Sequence, residues 1–121
     1  MGTYSKIILS GSTDGQGIKV TGTTPSKGSV VHTAVTGAAQ SLDEVWLYGF
    51  NAATTPREIS IAIGPTTATA SQYTYLLPTT VPDGLHLLSP GLVLRNAKVV
   101  RAFATADSGV HVFGYVNRFA S

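Results

Sequence analysis

The residues best suited to chemistry in this 121-residue chain are its three histidines. His32, His86 and His111 are far apart in sequence, and none has a second ligand at the spacing of a metal motif such as H-x-x-x-H. A Ser-His-Asp site could still assemble in space, because triads are defined by geometry rather than by chain order. Nothing in the local sequence supports one, so these histidines are expected to be hydrogen-bonded core or interface residues.

The glycine-rich segment at residues 11–17 has only a superficial likeness to nucleophile and phosphate motifs. Ser12 directly follows Gly11, whereas a nucleophile elbow needs G-x-S-x-G at a strand-to-helix turn. The segment lacks the spacing of a P-loop, and it leads into a strand-like stretch where a dinucleotide fingerprint needs a helix. A flexible turn is the favoured interpretation, and no cofactor is predicted.

The carboxylates do not form an acid–base pair. Asp43 and Glu44 are adjacent, so on a β-strand they point to opposite faces and cannot act together on one substrate. The other acidic residues mostly occupy turns or strand starts, where carboxylates cap or solvate the backbone. They are Asp14, Glu58, Asp83 and Asp107. The sequence therefore predicts that the protein is not an enzyme and holds no metal.

The predicted central strand, residues 42–52, positions a larger set of side chains. Side chains alternate across a β-strand, so Trp46, Tyr48 and Phe50 share one face and the aliphatic residues between them take the other. An outer strand of a simple sandwich usually has one polar face. Two apolar faces therefore predict that this strand is covered on both sides.

A second strand with two apolar faces is predicted at residues 110–119. His111, Phe113 and Tyr115 share one of its faces, and valines share the other. With the central strand they define the candidate interface: Trp46, Tyr48, Phe50, His111, Phe113 and Tyr115. The pattern is consistent with an aromatic face that lies in the core or in an interface between subunits, and the subunit interface is favoured. A sugar-stacking strip is the alternative, whereas base stacking is disfavoured because only Arg118 offers a nearby positive charge.

The spacing of turn signals predicts the architecture. Short strands separated by turns predict an all-β fold of about eight strands, an antiparallel, jelly-roll-like β-sandwich in a single domain. Residues 1–28, with short strands at 6–9 and 18–21, are expected to form an N-terminal arm or edge hairpin. Residues 29–121 are expected to form the sandwich.

Three segments of the sandwich carry specific expectations. The alternation in residues 58–64 predicts that its three isoleucines face the core. An Asp-Ser-Gly turn predicts a hairpin between residues 98–106 and 110–119. Between residues 78 and 94, prolines and glycines punctuate the chain, and only short apolar runs are expected there.

Composition restricts the classes of partner. Only 12% of the residues are charged and cysteine is absent. This is about half the usual share of charge, which suits a surface held against partners and equally suits a Thr-rich sandwich. The net charge of +2 comes from scattered residues without a basic run, so no nucleic-acid partner is predicted. No stretch approaches the ~18 apolar residues of a membrane span, so a soluble protein without a membrane partner is expected.

Five segments of the chain resemble small virion structural proteins of tailed bacteriophages. They are VHTAV at 31–35, LDEVWLY at 42–48, PGLVL at 90–94, VVRAFA at 99–104 and VFGYVNR at 112–118. The resemblance implies a capsid decoration (cement) protein, made in the host cytoplasm and carried on the outer capsid surface of the virion. It implies a homo-oligomer, with a homotrimer favoured, bound to the major capsid protein or another virion protein. A glycan-binding module on the virion surface and a neck or tail structural protein remain alternatives.

Overall fold

The computed structural model describes residues 2–24, 27–36, 40–64, 71–77, 85–105 and 109–120. Within these ranges, nine strands form two antiparallel sheets and there is no α-helix, which confirms the predicted all-β sandwich. The strands are β1 (Thr3–Ile8), β2 (Ile18–Lys19), β3 (Ser29–Thr33), β4 (Leu42–Asn51), β5 (Arg57–Gly64), β6 (Ser71–Leu77), β7 (His86–Leu94), β8 (Val99–Ala104) and β9 (Val110–Ala120).

The strand order is that of a jelly roll. One sheet has the order β1-β9-β4-β7, with β2 also paired to β9, and the other has the order β3-β8-β5-β6. Four strand pairs are nested within one another along the chain, like the rungs of one long hairpin that is rolled into a sandwich. They are β5–β6, β4–β7, β3–β8 and β1–β9. Rolling distributes these pairs alternately between the two sheets. As a result β4 and β9, the two strands with apolar side chains on both faces, are adjacent internal strands.

Strands β8 and β9 do not form the predicted hairpin with each other. β8 pairs with β3 and β5, whereas β9 pairs with β1, β2 and β4 in the other sheet. A turn sequence favours a reversal of the chain, but it does not specify whether the next strand stays in the same sheet. Both edges of β8 already have partners, and the aliphatic face of β9 is buried by packing across the sandwich. Residues 107 and 108 of the predicted turn lie outside the described residues.

The N-terminal segment forms an edge of the five-stranded sheet. The predicted strands at 6–9 and 18–21 overlap β1 and β2, which pair with β9 one after the other and not with each other. Leu9, Ile18 and Val20 are buried in the common core. This segment is therefore an edge strand interrupted by a turn, and part of it packs inside the sandwich.

Strand β7 is longer than its sequence indicates. It runs for nine residues through Pro90 and Gly91, a dipeptide that is typical of turns. Proline is tolerated because β7 is an edge strand. Val45 and Leu47 of β4 pair with Leu92 and Ser89, so one residue of β4 faces two of β7 and the strand carries a β-bulge.

The core lies between the sheets and is built from alternate residues. Ile59 and Ile61 are fully buried, and Ile63 packs against them at the periphery, as the alternation predicts. Ser60 and Ala62, on the other face of β5, are small and also covered. Period-2 patterning is thus a reliable guide to this strand.

Candidate functional site

The aromatic residues of β4 point away from the core. The strand alternates between buried and half-exposed residues along its whole length. Val45 and Leu47 have no exposed surface, whereas Trp46, Tyr48 and Phe50 are half-buried on the opposite face. The aliphatic side chains of β4 therefore form its core face, and the aromatic side chains lie outside the core.

Strand β9 repeats the pattern, with buried valines and half-buried aromatic residues. Its register with β4 places the six candidate interface residues directly opposite one another in three pairs. The pairs are Trp46–Tyr115, Tyr48–Phe113 and Phe50–His111. Sequence reasoning placed these residues on two separate strand faces, and the sheet joins them into one surface.

Flanking strands extend this surface in both directions. Tyr4 of β1 is 80% exposed and its ring lies 4.7 Å from that of Phe119. On the other side, Leu87 and Val93 of β7 lie opposite residues of β4 and are exposed. We call the outward side of these four strands the aromatic face. Exposed surfaces that carry several large apolar side chains often mark interaction sites.

The centre of the aromatic face is ordered by ring contacts. The rings of Trp46 and Tyr115 are stacked, with centroids 6.2 Å apart and planes 6° from parallel. The Nζ atom of Lys6 lies 4.5 Å from the centroid of the Tyr115 ring, a cation–π distance. Phe50 and His111 are tilted against each other at 6.5 Å.

A carboxylate fixes the indole at this centre. The Nε1–H of Trp46 donates to Oε1 of Glu44 at 2.8 Å, and Nδ2 of Asn117 donates to the same oxygen at 3.0 Å. These two hydrogen bonds lower the pKa of Glu44 below its ordinary value. The face thus combines aromatic rings with an ionised carboxylate, an amide and the Lys6 ammonium. Such a surface can stack on a partner and form hydrogen bonds with it.

A second polar cluster lies inside the sandwich, and sequence reasoning missed it. The fully buried carboxylate of Asp43 accepts a hydrogen bond from Nε2 of His32 at 2.7 Å. It also accepts a bidentate pair from Arg118, at 2.8 and 2.9 Å, and a bond from the Val35 N–H at 3.1 Å. The sequence feature that indicates this cluster is Asp43, an acidic residue that shares the apolar face of β4 with Val45.

The protonation of this cluster follows from its hydrogen bonds. Nδ1 of His32 accepts from the Ser10 N–H at 3.0 Å, so Nε2 carries the proton donated to Asp43. Burial lowers the pKa of His32, against the opposing effect of Asp43. Burial alone would raise the pKa of Asp43, but hydrogen bonds from Arg118 and His32 outweigh it and hold that pKa below its ordinary value.

This cluster does not have the arrangement of a catalytic triad. Both ring nitrogens of His32 are engaged, one by a carboxylate and the other by a backbone N–H, so neither is available to a serine hydroxyl. The Ser10 hydroxyl instead accepts a hydrogen bond from the Thr33 N–H at 2.7 Å. The described contacts of His32 are those of the hydrogen-bonded core histidine that the sequence favours.

No further site is formed by the remaining sequence candidates that the structure describes, and Asp83 and Asp107 lie outside the described residues. The glycine-rich segment is a turn, in which the Ser12 hydroxyl donates to the Gln16 carbonyl at 2.6 Å. Among the described residues, no group of three or more His, Asp or Glu side chains could hold a metal ion. In the same part of the chain, no helix has the length and hydropathy to span a membrane.

No family model, curated protein or solved structure matches this chain. The likeness to virion structural proteins therefore rests on the sequence segments alone.

Proposed function

We propose that this protein is a non-enzymatic structural protein that assembles with copies of itself through the aromatic face. We further propose that it decorates the outer surface of a virion capsid, as the sequence resemblance implies. The observation that carries the proposal is the outward position of Trp46, Tyr48, Phe113 and Tyr115 on two adjacent internal strands.

Apolar burial supplies the driving force for such an assembly. The aliphatic faces of β4 and β9 are already used in the core. Their aromatic faces do not contribute to the core of a single sandwich. Aromatic residues are enriched at interfaces between proteins. Trp and Tyr suit a partly wet seam because each combines a large apolar ring with a polar group.

The distribution of charge is compatible with a second copy as the occupant. Lys6 and Glu44 lie on the same face and carry opposite charges, so complementary contacts between identical chains are possible. The face extends from Tyr4 at one edge of the sheet to Val93 at the other. We favour a homotrimer, as the sequence resemblance implies.

The capsid role rests on the resemblance and is compatible with the fold. Jelly rolls occur in viral capsid proteins and in lectins, so the fold by itself does not separate these functions. In the proposed role the oligomer contacts the major capsid protein or another virion protein and contributes no chemistry. A neck or tail position remains an alternative within the same class.

Light scattering coupled to size-exclusion chromatography tests the assembly. At about 10 μM we expect a mass near three times the chain mass of 12.6 kDa. Tyr48→Lys combined with Tyr115→Lys should give a monomer with an unchanged far-UV circular dichroism spectrum, because unpaired ammoniums are costly inside an interface. Tyr75→Lys is the matched control, since Tyr75 is 43% exposed in the other sheet. A monomeric wild type would refute the assembly.

Immunogold electron microscopy tests the virion role separately. Antibodies against the chain should label the heads of particles assembled from its native gene cluster. Label confined to the neck or tail would support that alternative. Particles without label would refute a virion role, whatever the oligomeric state.

A glycan-binding module is the second candidate, favoured by the fixed indole beside Glu44 and Asn117. Rings next to hydrogen-bonding groups can stack on the apolar face of a sugar. Trp46 is the only tryptophan, so its fluorescence reports on this face directly. A monomeric protein whose fluorescence responds saturably to a glycan, and loses its binding in Trp46→Ala, would favour this candidate over the structural one.

A further inference from the structure

A cleft opens between the two sheets on the side away from β1. β6 and β7 are the edge strands of their sheets and are not paired with each other. The cleft between them has a volume of about 470 Å³ and is lined by Tyr73 of β6 and residues 88–93 of β7. We call it the β6–β7 cleft. It lies within the size range of small-molecule sites, which runs from about 300 to 1,000 Å³.

The β-bulge in β7 shapes one wall of this cleft. Gly91 has φ of +72°, a left-handed conformation that favours glycine, and it adjoins Pro90. A bulge bends its strand and changes the direction of neighbouring side chains. A second register shift in the same pairing makes Leu88 an extra residue, and Leu88 and Ser89 are both buried although they are consecutive, which departs from the alternation of a regular strand.

Two hydroxyl groups of the lining residues have unused hydrogen-bonding capacity. The hydroxyls of Tyr73 and Ser89 are buried and have no hydrogen-bond partner among the described residues. Ser89 is only 4% exposed. A buried hydroxyl without a partner typically costs about 1–3 kcal/mol, so native structures rarely retain one without a reason.

The chemistry of the lining restricts the ligand. None of the lining residues that the structure describes carries a charge at neutral pH, and most of them are apolar. Burial raises the pKa of Tyr73 to about 12, so its hydroxyl stays protonated and can donate. An ion entering this cleft would lose its hydration without gaining a counter-charge.

We propose that the β6–β7 cleft binds a small, uncharged molecule with an apolar body and one hydroxyl or carbonyl group. The body lies against the aliphatic residues of β7, and the polar group pairs with the hydroxyls of Tyr73 and Ser89. Val93 belongs both to this cleft and to the aromatic face, whereas Tyr73 and Ser89 belong to the cleft alone, so the proposal does not rest on self-assembly. Its ligand would stabilise the two free sheet edges against each other.

Nuclear magnetic resonance of the full ¹⁵N-labelled chain tests this site with a matched pair of probes. 2-Naphthol has an apolar body and one hydroxyl, and naphthalene lacks the hydroxyl. We expect 2-naphthol to shift the amide signals of Tyr73 and residues 88–93 saturably, and to bind about tenfold more tightly than naphthalene. Tyr73→Phe and Ser89→Ala should each weaken 2-naphthol binding about tenfold and leave naphthalene binding unchanged.

Both substitutions remove an unpaired buried group without changing the shape of the wall, so the variants should remain folded. Tyr75→Phe removes a tyrosine hydroxyl of β6 that does not line the cleft, so this control should bind 2-naphthol like the wild type. The proposal fails if no amide signal of the cleft shifts saturably, or if the two probes bind equally. It also fails if Tyr73→Phe and Ser89→Ala bind 2-naphthol as tightly as the wild type, or if Tyr75→Phe weakens binding to the same extent as they do.

Discussion

Nε2 of His32 lies 2.7 Å from Oδ2 of Asp43 inside the core, and the hydrogen bond between them joins the two sheets. His32 belongs to β3 of one sheet and Asp43 to β4 of the other. Arg118, directly opposite Asp43 on β9, neutralises the carboxylate from within the same sheet. Because a buried charge is tolerated only when it is paired and hydrogen-bonded, this end of the sandwich depends on all three side chains.

Asp43→Ala should lower the free energy of unfolding by about 3–5 kcal/mol. The substitution removes the acceptor for His32 and for both Arg118 bonds, and leaves their polar atoms without a partner. Urea denaturation measures the loss. Glu44→Gln, at the adjacent position on the outer face, is the control and should cost much less. Similar losses from the two variants would contradict a structural role for the buried cluster.

Stability should depend on pH through His32. Burial holds the pKa of His32 below its ordinary value of 6.5, so just below pH 6.5 the folded protein binds fewer protons than the unfolded chain. The free energy of unfolding is therefore highest above pH 6.5 and falls as the pH drops towards the lowered pKa. The pKa of Asp43 is also lowered, from an ordinary 3.8, so its contribution is lost only at more acidic pH.

Urea denaturation of the wild type and of His32→Gln, at several pH values from about 7.5 to about 5, measures this dependence. Glutamine can still donate to Asp43 but does not titrate. The variant should therefore show a shallower decline below pH 6.5. Parallel declines in the two proteins would assign the pH dependence to other groups.

Ile61→Ala should cost about 2–5 kcal/mol, whereas Ser60→Ala should cost about 1 kcal/mol or less. Ile61 is fully buried in the core, so its truncation leaves a cavity. Ser60, on the other face, loses one hydrogen bond of 2.9 Å to the Thr74 hydroxyl. Thermal or urea denaturation distinguishes the two, and equal effects would mean that the faces of β5 are assigned incorrectly.

Gly114→Ala should disrupt the pairing of β4 with β9. A Cβ at this position would lie 2.0 Å from the carbonyl oxygen of Trp46, a backbone atom of the neighbouring strand that cannot move without breaking the ladder. We expect loss of the folded far-UV circular dichroism spectrum, or a large fall in melting temperature.

Gly15→Asn provides the control for that substitution. Gly15 has φ of +85°, which asparagine tolerates better than most residues, and its nearest neighbouring atom would be 3.9 Å from a Cβ. The melting temperature should fall by less than in Gly114→Ala, because the added side chain strains only the local backbone and meets no neighbouring atom closely. A mild effect at Gly114 would show that the two strands can separate locally to admit a methyl group.

Local alternation determined much of this protein from its sequence alone. Successive side chains of an extended strand point to opposite faces whatever surrounds them. The isoleucines of β5 were therefore assigned to one core face, and the aromatic residues of β4 were separated from Val45 and Leu47. The sequence also indicated short antiparallel strands, because turn residues recur between the apolar segments.

Tertiary structure decided which faces meet, since that depends on strands distant in sequence. Alternation left open whether the aliphatic or the aromatic side of β4 is core, and the opposite sheet decided this by covering the aliphatic side. The turn between β8 and β9 favoured a hairpin, but β8 had partners on both edges, so β9 joined the other sheet. The contact between His32 and Asp43 arises only when the sheets pack, because a local pattern carries no information about a hydrogen bond between two sheets.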